Sequence, residues 1–561
     1  MKAKKIISII MAGAMFCSLS ACGNSTSSKD TSQPVADSAT ASVSEGVADS
    51  SEGATVVNDK NVLPYQDPAN TEKSDEEVVI ALTSEPSVIY DTAAGTTENE
   101  SQLIENALFD NLVDFDYAEN KVIPNLATDW KWTDGTHLQM TLRDDVIMGD
   151  GTPLVADDVV YTCNQIWVAL NQTNDTGKHI ITATADDDHT VTIEFADVAP
   201  DYVAMLSQPS FGIVTEDEIN AAGGLEGVSK QPTVGSGKYK FKEWVKGQYI
   251  VLERNDDYWN KDYTGYFKTI RFKFISDTSA KEMGIESGDI DLAYEIPVSQ
   301  AAVYMNKDNI KTSIYSPSSG ISHLWYNMGE NAGATKDEKV RAAIDKALDF
   351  DAISEVATAG YSEKVYSYFD SSCSFYSPVY TDEDRAVDIE GAKKLLDEAG
   401  YGDGLELTAV TLVKNADIFT VIQENLAKIG ITLNIETPDT AEYVQTVMGS
   451  GDYDLMMAGD ACAIRNPANV MTVLMKSNVN TVTFGGPKWT NDEIDSLITE
   501  LIQATDNDKA TKIATQLATI VKDQTICSNL YQEKAACVFA KDLKGFNTII
   551  RGYVDVTTLY K

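Results

Sequence analysis

The sequence predicts an α/β protein of several domains. In the second half, helices that stop at Gly400 and Gly430 alternate with short strands such as "GLELTAV" and "ITLNIET", an order typical of a right-handed parallel unit. In the first half, β-branched and aromatic residues alternate around turns between residues 238 and 274, which favours a sheet-rich block. Roughly 490 residues follow a low-complexity N-terminal stretch, a length typical of two or three domains.

The first 21 residues predict an export signal that is removed. Three lysines precede an apolar core at Ile6–Phe16, which is too short to span a membrane stably. The core leads to Leu19–Cys22, which resembles a bacterial lipobox and implies a lipid on Cys22. The alternative is an ordinary signal with a chance cysteine. Residues 22–74 are then the lipidated cysteine and a flexible tether, because residues 23–61 contain no Leu, Ile, Met or aromatic residue.

Charge and cysteine usage exclude several classes of protein. The net charge of −42 disfavours nucleic acid as a partner. Five cysteines lie beyond the tether and none belongs to a CxxC pair, so neither a zinc site nor a disulfide framework is indicated. We expect buried free thiols, and a Cys527–Cys537 bridge stays open. The five are Cys163, Cys373, Cys462, Cys527 and Cys537.

Two helices are predicted in detail. One opens near Pro153, with Val155 at the cap position and Thr152-Pro153 as the alternative cap. Its apolar face carries Val159, Val160, Cys163, Ile166, Trp167 and Leu170. The other begins with a capping-box pattern at Thr335–Glu338. Its apolar stripe carries Val340, Ile344, Ala347 and Leu348.

A ligand edge is predicted where the parallel strands end. Ligands of open α/β sheets bind beyond the carboxyl ends of the strands. A predicted strand at Tyr453–Ala458 runs directly into "GDACAIRNP", which places Asp460 and Arg465 at such an end. The alternative is an ordinary solvated loop.

No arrangement of residues indicates catalysis or a metal. The four histidines form no ligand pattern, and no GxSxG motif is present. Gly237-Lys238 lacks the upstream glycine and the following Ser/Thr of a phosphate loop, so a turn into a strand is favoured there. We therefore expect a protein that is not an enzyme and that has no catalytic residue, no metal and no cofactor.

Several stretches together resemble one family, the extracellular solute-binding proteins of peptide and nickel ABC transporters, called family 5. The longest is Val122–Thr162, "VIPNLATDWKWTDGTHLQMTLRDDVIMGDGTPLVADDVVYT". The others, in order, are "GSGKYKFKEWVKGQYIVLERNDDYW", "GIESGDIDLAY", "VRAAIDKALD", "AKKLLDEAGY" and "LAKIGITLNIE". The resemblance spans roughly residues 78–546.

The resemblance implies a periplasmic binding protein-like II fold, in which two halves close on a cleft. It implies three lobes with lobe I discontinuous: residues 75–115, 232–315 and 536–561 form lobe I, residues 116–231 form lobe II, and residues 316–535 form the α/β lobe III. Strands near Ser316 and Lys534 are expected to join the halves, and closure buries the ligand.

The resemblance also implies a binding site. In peptide-binding relatives an extended peptide adds as a strand. The bonding strand corresponds to Gly459–Ala463, which includes Asp460 and Ala461, and it faces Ala94–Thr97, with Thr96 among the contacts. Tyr326 and Asn327 are expected to begin a lobe III strand near the crossing. The sequence departs from oligopeptide-binding relatives because Asp460 stands at the Trp position and Ala463 at the position of the amine-anchoring aspartate. Either Asp460 takes over the ammonium contact, or the ligand has no free amine; Arg465 is then free to face a carboxylate.

The expected function is that of a monomeric, lipid-anchored lipoprotein on the extracytoplasmic face of the cell membrane. It is expected to capture a small solute, a short peptide, and to deliver it to an ABC permease and its ATPase subunits. Rival ligands are oligosaccharides, opines and metal chelates. The rivals in other classes are a secreted hydrolase of wall peptides or glycans and a peptide-signal receptor.

Overall fold

The structure is a computed structural model. It describes residues 72–90, 99–116, 121–168, 180–196, 202–305, 307, 310–315, 320–371, 373, 375–459, 482–483, 485–504, 507–549 and 553–561. The strands are β1 (Glu77–Leu82), β2 (Val113–Asp116), β3 (Lys121–Pro124), β4 (Ala127–Trp132), β5 (His137–Leu142), β6 (Ile180–Asp187), β7 (Thr190–Phe195), β8 (Tyr239–Val245), β9 (Tyr249–Arg254), β10 (Thr269–Phe274), β11 (Leu292–Ala293), β12 (Ile310–Tyr315), β13 (Ile321–Tyr326), β14 (Leu405–Val410), β15 (Ile431–Glu436), β16 (Leu455–Gly459), β17 (Val482–Thr483), β18 (Gly486–Pro487), β19 (Cys527–Gln532), β20 (Ala535–Ala540), β21 (Thr548–Ile549) and β22 (Tyr553–Val554).

Helices cover these sheets. They are α1 (Asn99–Leu108), α2 (Ala156–Tyr161), α3 (Tyr202–Met205), α4 (Glu216–Ala221), α5 (Leu225–Lys230), α6 (Thr278–Ser287), α7 (Val298–Tyr304), α8 (Glu338–Ala347), α9 (Phe350–Thr358), α10 (Ile389–Glu398), α11 (Ala416–Ala427), α12 (Thr440–Gln445), α13 (Asp492–Ile502) and α14 (Asn507–Asp523). Within the part of the chain that the structure describes, no helix combines the length and apolarity that a membrane span requires.

A seven-stranded sheet draws on both ends and the middle of the chain. Its strand order is β12-β20-β11-β1-β10-β9-β8, in which β1 runs parallel to β10 and β11. One face packs Ile80 and Phe272 against α1, and the other packs Ala81 and Val538 against α6 and α7. A separate four-stranded sheet, ordered β4-β5-β7-β6, shares the first of these cores.

A five-stranded sheet, ordered β15-β14-β16-β13-β19, forms the centre of the second half. The predicted parallel unit is confirmed for β14, β15 and β16, whereas β13 and β19 join it antiparallel. Side chains alternate between two helical layers, since Leu324 and Tyr326 pack towards α8, α10 and α11, while Trp325 packs towards α13 and α14. Gly400 and Gly430 stop the preceding helices with φ of +85° and +84°.

The start predicted for α8 is wrong by a few residues. α8 begins at Glu338, and its cap is Asp337, whose carboxylate accepts a hydrogen bond from the Lys339 amide at 2.9 Å. Thr335 lies in a preceding 3₁₀ turn. The apolar stripe expected on this helix is buried at Val340, Ile344, Ala347 and Leu348.

The helix expected near Pro153 begins at Ala156. Val155 occupies the cap position and offers no side-chain acceptor, so the Asp158 carboxylate binds the Val155 amide at 2.9 Å. Thr152 bonds the Asp150 carboxylate instead of capping the helix. The expected apolar face is buried at Val159, Cys163, Ile166 and Trp167, whereas Val160 is half-buried and Leu170 lies outside the described residues.

The cysteines agree with the expectation of buried thiols. The thiols of Cys163, Cys373, Cys527 and Cys537 are buried, and Cys527 and Cys537 do not form a disulfide bridge with each other. Cys462 lies outside the described residues. The predicted lobe boundaries stay a prediction, although each of the three larger sheets draws its strands from one predicted lobe, apart from the first residue of β20.

Candidate functional site

The carboxyl ends of β14, β15 and β16 meet at one edge of the five-stranded sheet. β16 is antiparallel to β13, and Gly459 at its end pairs with Ser322 near the start of β13. β19 ends beside them at Gln532. After only two further residues, Glu533 and Lys534, the chain enters β20 of the seven-stranded sheet. The ligand edge of one sheet therefore faces the other sheet, which is where open α/β sheets bind ligands.

Glu533 lies at the centre of this edge. Its amide donates a hydrogen bond to the Gly320 carbonyl at 2.9 Å, which ties the connection after β19 to the segment that enters β13. Its Oε1 accepts a hydrogen bond from the Ser322 hydroxyl at 2.8 Å. The side chain is half-buried. Because the connection from β19 to β20 meets the residue that precedes β13 here, Glu533 sits at a joint between the two sheets.

Gly459 and Glu533 are in close contact. A Cβ added to Gly459 would lie 2.4 Å from Glu533 Oε1 and 3.2 Å from its carboxyl carbon. Only a residue without a side chain allows the carboxylate to rest against the end of β16. Glycine at this position therefore has a packing reason that the sequence pattern does not reveal.

The opposing sheet contributes a second carboxyl group. Glu295 follows β11 with φ of +53°, and its Oε1 accepts a hydrogen bond from the Asn99 amide group. Burial raises the pKa of the Glu295 carboxyl and the nearby Glu100 carboxylate raises it further, while the bond from Asn99 and the charges of Lys281 and Lys414 oppose the rise. Lys414 follows β14 in the other half. The pKa of Glu295 therefore responds to a charge on the far side of the gap between the seven-stranded and the five-stranded sheet.

A buried lysine supports the same side of the gap. The Lys281 ammonium donates to the Thr83 hydroxyl and to the Tyr294 carbonyl, each at 2.7 Å. Burial lowers the pKa of Lys281 to about 8. Thr83 directly follows β1 and Tyr294 directly follows β11, so the lysine fixes the ends of two neighbouring strands.

The halves also touch beside the crossing. The Tyr361 hydroxyl lies 2.9 Å from the Met305 sulfur, and Tyr361 and Ala359 pack against the core that α6 and α7 cover. Ala359, with φ of +50°, ends α9 of the second half. Beside this contact, the two-residue connection at Glu533-Lys534 forms a short hinge between the halves.

Of the predicted ligand residues, Tyr326, Asn327 and Gly459 are described. The Tyr326 hydroxyl lies 2.6 Å from the Ser528 hydroxyl, and both side chains are fully buried. Asn327 is fully buried too, with every polar atom of its side chain bonded to backbone. The expectation that they begin a strand near the crossing is wrong, because Tyr326 ends β13 and Asn327 follows it, at the opposite end of the strand from Ser322 and Gly459. Their side chains face the protein interior. Cys22, Thr96, Asp460, Ala461, Ala463 and Arg465 lie outside the described residues.

Sequence reasoning missed Glu533 and Ser322. A signal for Glu533 was present, because it is the one acidic residue in "LYQEKAACVF", the segment around the crossing expected near Lys534. Its neighbourhood with Gly459 depends on pairings between distant segments, which no local pattern encodes.

A cavity of about 110 Å³ lies away from this edge. It adjoins the "RNDDYW" block, and the described residues that line it all belong to the seven-stranded half or to the segments around β2 and β3. The Asp110 carboxylate accepts hydrogen bonds from Ser236 at 2.8 Å, Tyr258 at 2.9 Å and Trp259 at 3.0 Å. The Arg143 guanidinium stacks on Trp259 at 4.0 Å. We interpret the block as a structural joint.

Comparison with known proteins agrees with this architecture. The chain is 29% identical over 420 residues to the oligopeptide-binding protein AppA of Bacillus subtilis, covering 68% of this chain and 73% of that protein. It is 23% identical over 500 residues to the probable D,D-dipeptide-binding periplasmic protein DdpA of Escherichia coli, covering 86% and 94%. The fold matches the periplasmic binding protein DppA of Helicobacter pylori in complex with the peptide STSA, with a TM-score of 0.71 at 23% identity over 86% of this chain and 98% of that one.

These matches confirm the α/β binding-protein fold that the sequence predicts. The model of the middle region of one family matches residues 121–481, which is more than half of the chain. The chain therefore belongs to the bacterial extracellular solute-binding proteins, family 5.

Proposed function

We propose that this protein captures a short peptide between its two halves and delivers it, chemically unchanged, to an ABC permease. The observation that carries the proposal is the edge at which Gly459, Ser322 and Glu533 meet, because it faces the opposing sheet across a connection of two residues. The peptides named for the relatives support the choice of ligand class.

In this proposal the peptide lies extended and continues the sheet pairing beyond β16. The segment Gly459–Ala463 supplies backbone hydrogen bonds, which serve many peptide sequences because they ignore side chains. Thr96 approaches from the opposing half, and Arg465 pairs with the peptide carboxylate. Asp460 is a further carboxylate beside the ligand. Tyr326 and Asn327 stabilise the end of β13 through their buried side chains.

Closure is the event that the permease recognises. Ligand bridges the two halves and favours the closed arrangement by its differential affinity. The short connection at Glu533-Lys534 allows rotation without unfolding either sheet. No reaction is part of the proposal, and no group of the edge is assigned a catalytic role.

The N-terminus places the protein at the membrane. We propose that Cys22 carries lipid and that residues 22–74 form a tether that lets the folded body meet its permease. The body then works on the extracytoplasmic side as a monomer.

The proposal is tested by calorimetric titration of the purified protein with alanine peptides of two to five residues. We expect saturable one-to-one binding, with the peptide recovered intact by mass spectrometry. Binding of oligosaccharides but not of peptides, or recovery of cleaved peptide without any added enzyme, contradicts the proposal. A sample of the protein boiled before mixing controls for spontaneous cleavage.

A further inference from the structure

We propose that Glu533 is the amine-recognising group of this cleft, and that it binds the protonated amine of the ligand. The inference rests on the proposed function and deepens it, because it states which charge the solute must carry. It places the group that binds the ligand amine on the two-residue connection between the two halves.

The two oxygens of the Glu533 carboxylate differ in their hydrogen bonding. Oε1 accepts a hydrogen bond from Ser322 at 2.8 Å, which fixes the plane of the carboxylate. Among the described residues, none places a donor within hydrogen-bond distance of Oε2. An ionised carboxylate accepts several hydrogen bonds, so Oε2 retains capacity for a charged donor.

The cation next to Glu533 has a hydrogen bond of its own. Lys534 is the residue that follows Glu533 in the chain. The Lys534 ammonium bonds the Gln532 side-chain oxygen at 2.9 Å, and the Gln532 amide in turn bonds Asp370. The Lys534 ammonium is thereby engaged by the Gln532 side chain.

Closure of the two halves changes the solvation of the Glu533 carboxylate. Glu533 is half-buried at the joint, and a guest that fills the edge removes more of its water. Burying a carboxylate without a partner is costly, whereas a cationic partner offsets the cost. A ligand with an ammonium group beside Gly459 therefore stabilises the closed form, and a ligand without one does not.

The test compares Ala-Ala-Ala with N-acetyl-Ala-Ala-Ala on the wild-type protein and on Glu533→Gln. The glutamine retains an oxygen for the Ser322 bond, so the variant keeps its packing and loses only the charge. We expect acetylation to weaken binding to wild type by about tenfold or more, and Glu533→Gln to weaken the free peptide equally. Acetylated peptide should bind Glu533→Gln at least as tightly as it binds wild type, because the variant buries no unpaired charge.

Glu436→Gln is the matched control, because Glu436 is an exposed acid at the end of β15 on the same edge. It should change neither affinity by more than about twofold, which separates local recognition from the general negative field. N-acetyl-Ala-Lys-Ala distinguishes the source of the amine. If N-acetyl-Ala-Lys-Ala binds wild type more tightly than N-acetyl-Ala-Ala-Ala does, and Glu533→Gln loses the difference, Glu533 recognises a side-chain amine. If the two acetylated peptides bind alike, Glu533 recognises the amine of the peptide N-terminus.

Two outcomes overturn the inference while leaving the proposed function intact. In one, Glu533→Gln binds the free peptide as tightly as wild type does. In the other, it weakens free and acetylated peptide by the same factor, which indicates a structural role. If wild type binds none of the peptides, the proposed function fails and the inference fails with it.

Discussion

Replacement of Asn327 by alanine separates a structural role from a ligand-binding role for this residue. The Asn327 amide nitrogen donates to the Gly451 carbonyl at 2.9 Å and to the Tyr453 carbonyl at 2.8 Å, and its oxygen accepts from the Gly329 amide at 2.9 Å. The side chain is fully buried. These bonds tie the end of β13 to the loop that leads into β16.

The magnitude follows from the three groups that alanine leaves without partners. Each buried unsatisfied group costs about 1 kcal/mol or more, so Asn327→Ala should lower the free energy of unfolding by about 3–5 kcal/mol. Urea unfolding monitored by tryptophan fluorescence measures it, and buried Trp325 on β13 reports on this region. Asn331→Ala is the matched control. Its exposed amide makes a single bond to the Ser450 carbonyl at 3.0 Å, so its loss should cost less than about 1 kcal/mol.

The refuting result for Asn327 is equally definite. At a temperature where Asn327→Ala is folded, its affinity for a peptide should stay within about twofold of wild type. The reason is that the Asn327 side chain bonds only backbone groups of the protein. Wild-type stability combined with lost binding would show that Asn327 contacts the ligand directly.

Three further predictions concern a lysine, a glycine and a cysteine. The pKa of Lys281 in the folded state is about 8, below its unfolded value of 10.5, so the unfolded chain binds more protons between these values and stability rises with pH across that window. The free energy of unfolding of wild type, relative to Lys281→Met, should therefore rise by about 3 kcal/mol from pH 8 to pH 10.5, and parallel pH profiles would contradict this. Gly459→Ala should displace the Glu533 carboxylate and weaken a free-amine peptide by about tenfold in calorimetric titration, and wild-type affinity would contradict the contact. Cys22→Ser should abolish metabolic labelling with palmitate and release the protein from the membrane fraction, and retained labelling would place the lipid elsewhere.

The parallel unit of the second half is predictable because its signals are local. Gly400 and Gly430 mark helix ends by their left-handed backbone, and apolar alternation marks β15. The antiparallel partners β13 and β19 are not predictable in this way, because their pairing joins residues about 200 positions apart.

The helix starts show how local signals compete. At Thr335 the sequence offers a Ser/Thr cap with an acid three residues on, yet Asp337 is the cap. The Thr335 hydroxyl bonds the Asn327 carbonyl at 2.6 Å instead, so a tertiary bond to the end of β13 takes the group that the local pattern assigns to the helix.

The candidate site is only partly predictable for the same reason. Position at a strand end indicates Asp460 and Arg465, which lie outside the described residues, whereas Gly459 comes from the family resemblance and its role stays a prediction. Glu533 becomes visible only when β19, β13 and β16 are aligned side by side, since its carboxylate reaches across Ser322 to Gly459. Tyr326 and Asn327 lie at the opposite end of β13 from Ser322 and Gly459, and the direction of their side chains follows from the alternation along β13 and from the loop at Gly451.

The most direct test of the account is small-angle X-ray scattering of the purified protein with and without a saturating peptide, with mass spectrometry of the peptide afterwards. The account predicts that the radius of gyration falls on binding, as the sheets close about the connection at Glu533-Lys534, and that the peptide is recovered whole. An unchanged scattering curve together with a cleaved peptide would contradict it.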